Sequence, residues 1–411
     1  MANYRLRIGQ TNSYPLLAEA GGFSLSGQSA TLTYTPAVGG EPYSWYTALD
    51  KAVAPLTISE AAAPTGAMTD VTAANASELA SHIYTPNRRI TLTGNIGSSS
   101  FTAGNIQDVD IIVPPGILWG ATGGTVTLGN ASSATLTRVR IRGNTVGSYS
   151  GGQIHAIQVY GAGSDVILDG LGLTGPVTQG AVSFGSLATP YIQRAAITNC
   201  RINCGGYGIV NTASDLTITG CSIYTGNDLA FPPTDDEAYA IRNYFMADGN
   251  IVVFGCELRS HPGRLTSSHS RFRCHPDPGI ASIWAGSNRF VDRVENHIMW
   301  VDAAAGGGTS DALNTYVTYN EIISDGTGAA GSASVPKLYG PDQINAYIQN
   351  NIFKSSDFTS DASIFMTGTI VTSKTGNLYQ SLPVSDPAWG AALANGITPG
   401  AGDPTGLDWT P

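Results

Sequence analysis

The stretch HSRFRCHPDP, residues 269–278, concentrates chemistry in a chain whose charged residues make up only 12% of the total. Arg271, Arg273 and His275 alternate there with Phe272 and Cys274. Alternation of this kind describes a strand with one face buried, so the basic groups share the other face. A guanidinium fork grips a carboxylate through two parallel bonds. An imidazole titrating near pH ~6.5 can take and return a proton under neutral conditions. A second cluster precedes the first: the loop GNDLAFPPTDDEAY, residues 226–239, carries Asp228, Asp235, Asp236 and Glu237. Two carboxyl groups held roughly 5–9.5 Å apart can divide acid and base roles across one bond. Asp235, Asp236, Glu237 or Asp277, from adjoining loops, could instead neutralise the arginines.

The rest of the chain must build a scaffold for these groups. Of 411 residues, 50 are glycine and 42% are hydrophobic, a profile of many short strands joined by tight polar turns. It is too apolar for a disordered chain. The net charge of −10 argues against nucleic acid as a partner, because phosphate contacts need a broad basic surface. No run of apolar residues is long enough to insert into a membrane. The opening MANYRLRIGQ has no apolar stretch after its charges, so no signal peptide is expected. The 5 cysteines contain no CxxC pair and lack zinc-site spacing.

Internal repeats organise the chain. ITNCRI (197–202), ITGCSI (218–223), VFGCEL (253–258), AGSNRF (285–290), VTYNEI (317–322), IQNNIF (348–353) and KTGNLY (374–379) share a pattern, with IRGNTV (141–146) and LDGLGL (168–173) as earlier copies. One column then reads Asn144, Leu171, Cys200, Cys221, Cys256, Asn288, Asn320, Asn351 and Asn377. Asn and Cys can share an inward bend position. An asparagine bonds its copy on the next turn, and a thiol of similar size fills the same space. A strand column precedes each copy through Ile157, Val182, Ile209, Ile241, Phe272 and Ile298. Two strand columns repeated turn after turn predict an all-β fold, a single-stranded right-handed parallel β-helix, with a rod of roughly 45 Å at ~4.8 Å per turn. NASELASHI (75–83) reads as a capping helix with Ser77 as its cap. The division is a β module at 1–50, a connector at 51–74, the β-helix at 75–380 and a Pro/Gly-rich tail at 381–411. His82, His155 and His261 are assigned to turns or loops.

Residues 75–380, about three quarters of the chain, resemble the β-helix family of pectate lyases, polygalacturonases and phage tailspikes. The likeness rests on the helix, on the DIIVPPG that follows it (110–116), and on the Asn/Cys column. LLAEAGGFSLSGQSATLTYTP (16–36) resembles a short β module found near the ends of phage virion proteins. That resemblance implies a virion location, other virion proteins as partners, and a particle that carries the chain to a cell surface. Tailspike likeness implies a homotrimer.

With Ile241, Phe272 and Ile298 turned inward, the neighbouring columns bring Arg242 and Tyr244 beside Arg271, Arg273 and His275, and beside His297, Met299 and Val301. The expected ligand of this basic face is an acidic polysaccharide. A lyase needs a neutralised carboxylate, a base and an acid. Arg271 and Arg273 would neutralise, His275 or His297 would be the base and Tyr244 the acid. Resemblance to pectate lyases implies an arginine base instead, Arg242 or Arg273. Tyr244, with Trp300 or Tyr239, could stack on sugar rings. A hydrolase would draw on Asp228, Asp235, Asp236 and Glu237, which could also contact substrate. The order NTAS, GNDL, SHPG and SRFR echoes the polygalacturonase series, but Ala213 and Asn227 stand where that family keeps acids and only Asp228 matches. No cluster of aspartates suited to calcium surrounds the basic groups, a departure from many such lyases, so no cofactor is expected and calcium stays an open alternative. A virion component that binds without turnover is the reading from another functional class.

Overall fold

In a computed structural model the described residues are 29–30, 58–59, 61–225 apart from 122–123, 131–133, 176–179 and 186–191, and, within 239–380, the strands with their shortest bends. From Thr69 onward the chain winds as a parallel β-helix with one sheet of 12 strands and two of 10. One circuit runs through Arg194–Thr198 in the long sheet, Arg201–Cys204 in the second and Ile209–Asn211 in the third. Asp215–Thr219 then returns to the long sheet. The all-β solenoid expected from the repeat is the observed fold, with three walls where the sequence suggested two. Each six-residue copy is a corner: in ITNCRI, Ile197 and Thr198 end one strand and Arg201 begins the next.

The rod's interior is a set of apolar columns. Ile90, Ile111, Ile141, Leu168, Ile197, Ile218, Val253, Ala285, Val317 and Ile348 lie in register across successive strands of the long sheet, all buried. The third sheet contributes Ile157, Val182, Ile209 and Ile241, and Phe272 follows in the same register. β-branched residues dominate because a pleated surface packed on like neighbours suits their restricted side chains.

The corner between the long and second sheets explains the Asn/Cys column. Its first residue is left-handed in Gly170 (φ 69°), Asn199 (φ 53°), Gly220 (φ 61°) and Gly255 (φ 62°), a region open to glycine and tolerated by asparagine. The next residue points inward. The side-chain nitrogens of Asn288, Asn320, Asn351 and Asn377 donate to the carbonyls of Val253, Ala285, Val317 and Ile348 at 2.8–3.0 Å. Their oxygens accept the backbone N–H of Cys256, Asn288, Asn320 and Asn351. The thiols of Cys200, Cys221 and Cys256 donate to Leu168, Ile197 and Ile218, which continue the same carbonyl column, at 3.4–3.6 Å. Burial, with Cys200 and Cys256 alongside, pushes the Cys221 thiol up, so it stays protonated. These cysteines are structural.

Asn144 departs from the column and is exposed. Gln153 pairs with Gly172, so Gly152 occupies the place beside Leu171. A side chain at Gly152 would strike the carbonyls of Pro114 and Ile117, which restricts the position to glycine. Residues 144–150 are an insertion at this corner, tied down where the Gly147 N–H donates to the Asp169 carboxylate at 2.8 Å.

The N-terminal end begins earlier than the sequence suggested. Thr69–Ala73 already pairs in parallel with Arg88–Leu92. Between them the helix α1 (Ala76–Ile83) buries Leu79 and Ile83 over the end of the rod. Its cap is Asn75, not Ser77: the Asn75 oxygen accepts the Glu78 N–H at 3.0 Å, and the Glu78 carboxylate accepts the Ala74 N–H at 2.7 Å. His82 lies in this helix, and His155 ends the strand Gln153–His155; His261 falls outside the described residues.

Charge ladders brace the outer side of the long sheet here. Asp108, Arg138 and Asp165 are left-handed bulge residues at φ 50°, 51° and 70° on consecutive strands. Such conformations cost ~1–3 kcal/mol each. Bidentate pairs offset that strain: Arg138 binds Asp108 at 2.6 and 2.7 Å, and Arg194 binds Asp165 at 2.6 and 2.9 Å. Nearby, buried Asp110 accepts from Arg140 at 2.9 and 3.0 Å and from Arg142 at 3.0 Å. The segment entering the rod lies along the bulges. The Thr65 N–H donates to Asp108 at 3.2 Å and the Ala62 N–H to Asp165 at 2.9 Å.

Candidate functional site

The strand carrying Arg242, Ile241–Asn243, lies in the third sheet between Ile209–Asn211 and Phe272–Cys274. Ile241 fills the interior, which turns Arg242 to the outside. The outward column runs Thr127, Gln158, Ser183, Val210, Arg242, Arg273 by strand register. Arg242 and Arg273 therefore occupy adjacent positions on one face, as the sequence suggested.

On the third turn the register differs. Phe272 pairs with Met299 and Arg273 with Trp300. The expected match of Phe272 to Ile298 is off by one residue, and a shift of one exchanges the two faces of a strand. Trp300, rather than Met299 or His297, continues the arginine column, followed by Lys337. An apolar residue at either of two consecutive positions, Ile298 and Met299, left the sequence without a means of choosing.

Arg242 is set among aromatic rings. Its guanidinium donates to the Tyr207 hydroxyl at 2.7 Å and lies 5.1 Å from the Tyr207 ring centre and 5.3 Å from that of Tyr239. The two tyrosines stack with centroids 6.1 Å apart and planes 19° from parallel. Cation–π attraction at this range is worth ~0.5–2 kcal/mol. Arg242 is only 6% exposed, so its guanidinium is held rigidly among these rings and a ligand could reach no more than a narrow edge of it. Tyr239 is 1% exposed and packs as support, so it does not serve as the sugar platform that its sequence context allowed.

Tyr207 is the residue that the sequence reading overlooked. YGIVN (207–211) and YAIRN (239–243) match at three of five positions, and the tyrosines fall on successive turns two places ahead of paired Ile209 and Ile241. Extending the strand alignment two residues upstream would have found the pair. Arg273 is placed by its backbone register. Tyr244, Arg271, His275, His297, Asp228, Asp235, Asp236 and Glu237 lie outside the described residues.

Elsewhere the electrostatics have structural causes. Burial pushes the Asp110 carboxyl up, but hydrogen bonds from Arg140 and Arg142 outweigh it and hold the group below the usual carboxylate range. Burial also raises Asp165, and Arg194 with the Ala62 N–H brings it below that range. Burial lowers His155, whose Nδ1 lies 3.0 Å from the Thr174 hydroxyl, so the ring is neutral at physiological pH. Among the described residues no three His, Cys, Asp or Glu side chains converge as metal ligands.

The fold and this register define the class: an all-β parallel β-helix protein with Arg242 and Arg273 at paired positions on one wall. No protein-family model matches the chain, and no curated protein matches it in sequence.

Proposed function

We propose that the protein is a phage-type tailspike or fibre component of the pectate lyase-like β-helix class that binds an acidic cell-surface polysaccharide along the third sheet. The observation that carries this reading is Arg242, clamped by Tyr207 and Tyr239 and followed in register by Arg273. A uronate polymer repeats its carboxylates along an extended chain, and guanidinium groups on neighbouring strands repeat at ~4.8 Å. Rigid strands hold such groups in place better than loops do. β-Elimination is the favoured chemistry, since a guanidinium that neutralises the uronate carboxylate acidifies the adjacent C–H bond.

The test is a panel of uronate polymers offered to the parent protein and to Arg242→Ala and Arg273→Ala variants. Binding, unsaturated product by absorbance, and reducing ends are read in parallel. The proposal expects binding that weakens at least tenfold in either variant, with unsaturated product in the parent. Reducing ends without unsaturation would assign hydrolysis. Binding without either product would assign a non-catalytic receptor-binding role. Unchanged binding in both variants would remove the site from this face.

A further inference from the structure

Val252, Trp284, Tyr316 and Tyr347 stand in register on four consecutive strands of the long sheet. Their neighbours Val253, Ala285, Val317 and Ile348 fill the interior, so this row faces outward. The wall of a β-helix is one strand thick and its outer side normally meets water. Yet the row is 1%, 0%, 4% and 6% exposed. The rings are well packed: Trp284 lies 5.4 Å from Phe254 and donates to the Thr318 hydroxyl at 2.9 Å, and Tyr316 stacks on Tyr347 at 4.9 Å. An outward apolar row this dry has a roof.

The segment entering the rod points to the occupant. Thr65 is bonded to Asp108 on the third strand of the long sheet and Ala62 to Asp165 on the fifth. Two strand spacings are ~9.6 Å, and three extended residues reach ~10 Å. The segment therefore runs nearly straight along the rod axis. Four residues further back is Ile58, and a span of four residues at ~3.3 Å each is long enough to bring it level with the seventh to eighth strands. Val252 sits on the eighth strand and Trp284 on the ninth. Ile58–Ser59 pairs with Ser29–Ala30 in an antiparallel ribbon, with Ala30 opposite Ile58. The row lies two residues, or ~6.6 Å, to the side of the bulge line. A ribbon two strands wide, with its strands ~4.8 Å apart, lies within reach of that row.

We propose that the ribbon of Ile58–Ser59 and Ser29–Ala30 roofs the outward row at Val252 and Trp284, and that the docked segment from Ala62 to Thr65 aims it there. The ribbon is then held beside the flank of the rod rather than beyond its capped end. This inference is independent of the proposed polysaccharide site.

The test uses the full chain. Ala62→Pro with Thr65→Pro removes both donated N–H groups without altering the rod, and Ile58→Asp adds a charge to the ribbon. The emission of Trp284 is isolated by difference against the same protein carrying Trp284→Phe, and acrylamide reports its accessibility. In the parent, Trp284 is shielded. In the double proline variant and in Ile58→Asp, its quenching constant rises at least threefold, while buried Trp119 stays shielded and reports an intact rod. Trp284 still shielded in Ile58→Asp, with the rod intact, would overturn the proposal and pass the role of roof to another segment.

Discussion

Replacing Asn320 separates the two jobs of the corner ladder. Its oxygen accepts the Asn288 N–H at 2.8 Å, and its nitrogen donates to the Ala285 carbonyl at 2.9 Å and to the Asn351 side chain at 3.0 Å. In Asn320→Ala, the Asn288 N–H and the Ala285 carbonyl lose these partners inside the rod. At about 1–3 kcal/mol for each buried group left unmade, the variant loses about 2–6 kcal/mol. The Asn351 oxygen still accepts the Asn320 N–H at 2.9 Å. In Asn320→Cys the thiol can donate to Ala285 as Cys256 donates to Ile218, so only the Asn288 N–H is stranded and the cost falls to about 1–3 kcal/mol. Urea unfolding followed by circular dichroism ranks the variants. Native-state hydrogen exchange reads the local effect, and 1.4 kcal/mol corresponds to tenfold. Faster exchange of the Asn288 amide is expected in both, with alanine the less stable. Equal destabilisation by cysteine and alanine, or an unaltered Asn288 amide, would refute the shared-column account of Asn and Cys.

Three further outcomes are expected. The Thr315 hydroxyl is buried in the rod without a hydrogen-bond partner, so Thr315→Val is expected to stabilise the fold by about 1 kcal/mol in the same urea assay. Asn75→Ala removes the cap of α1 and costs about 0.5–2 kcal/mol, with faster amide exchange confined to that helix and the strand ends beneath it. Asp110 and Asp165 are held below the ordinary carboxylate range when folded, so the stability they contribute is present above their unfolded value of ~3.9 and drains away as pH falls through the lowered values. Asp215 is shifted the other way by burial, so its contribution is present below ~3.9 and lost as pH rises through the folded value. Asp215→Asn is accordingly expected to stabilise at neutral pH, and a pH series of unfolding midpoints for the parent and this variant checks both signs.

The interior was legible because it repeats. Ile157, Val182, Ile209, Ile241 and Phe272 were aligned from sequence and are paired in the structure. Asn144 deceived the alignment because an inserted loop carries the same letters as a corner, and only the pairing of Gln153 with Gly172 exposes the slip. The third wall was hidden because strands on either side of a two-residue bend read as one motif, as in Thr198 to Arg201. The candidate site was half legible. Arg242 and Arg273 share a column as their alternation implied, whereas Tyr207 precedes its strand, where no period-two signal reaches. The charge ladders depend on bulges at Asp108, Arg138 and Asp165, and nothing in the alternation of residues marks an extra left-handed position.

The corner ladder also has a direction in time. The thiols of Cys200, Cys221 and Cys256 make their bonds to carbonyls that precede them in the chain. From Cys256 onward, the backbone N–H at Cys256, Asn288, Asn320 and Asn351 has its acceptor in the turn after it. On a ribosome, the three thiols can close their bonds to these carbonyls as soon as they emerge. The turns from Cys256 to Asn351 stay one partner short until their successors are made, so the distal part of the rod sets late and as a unit.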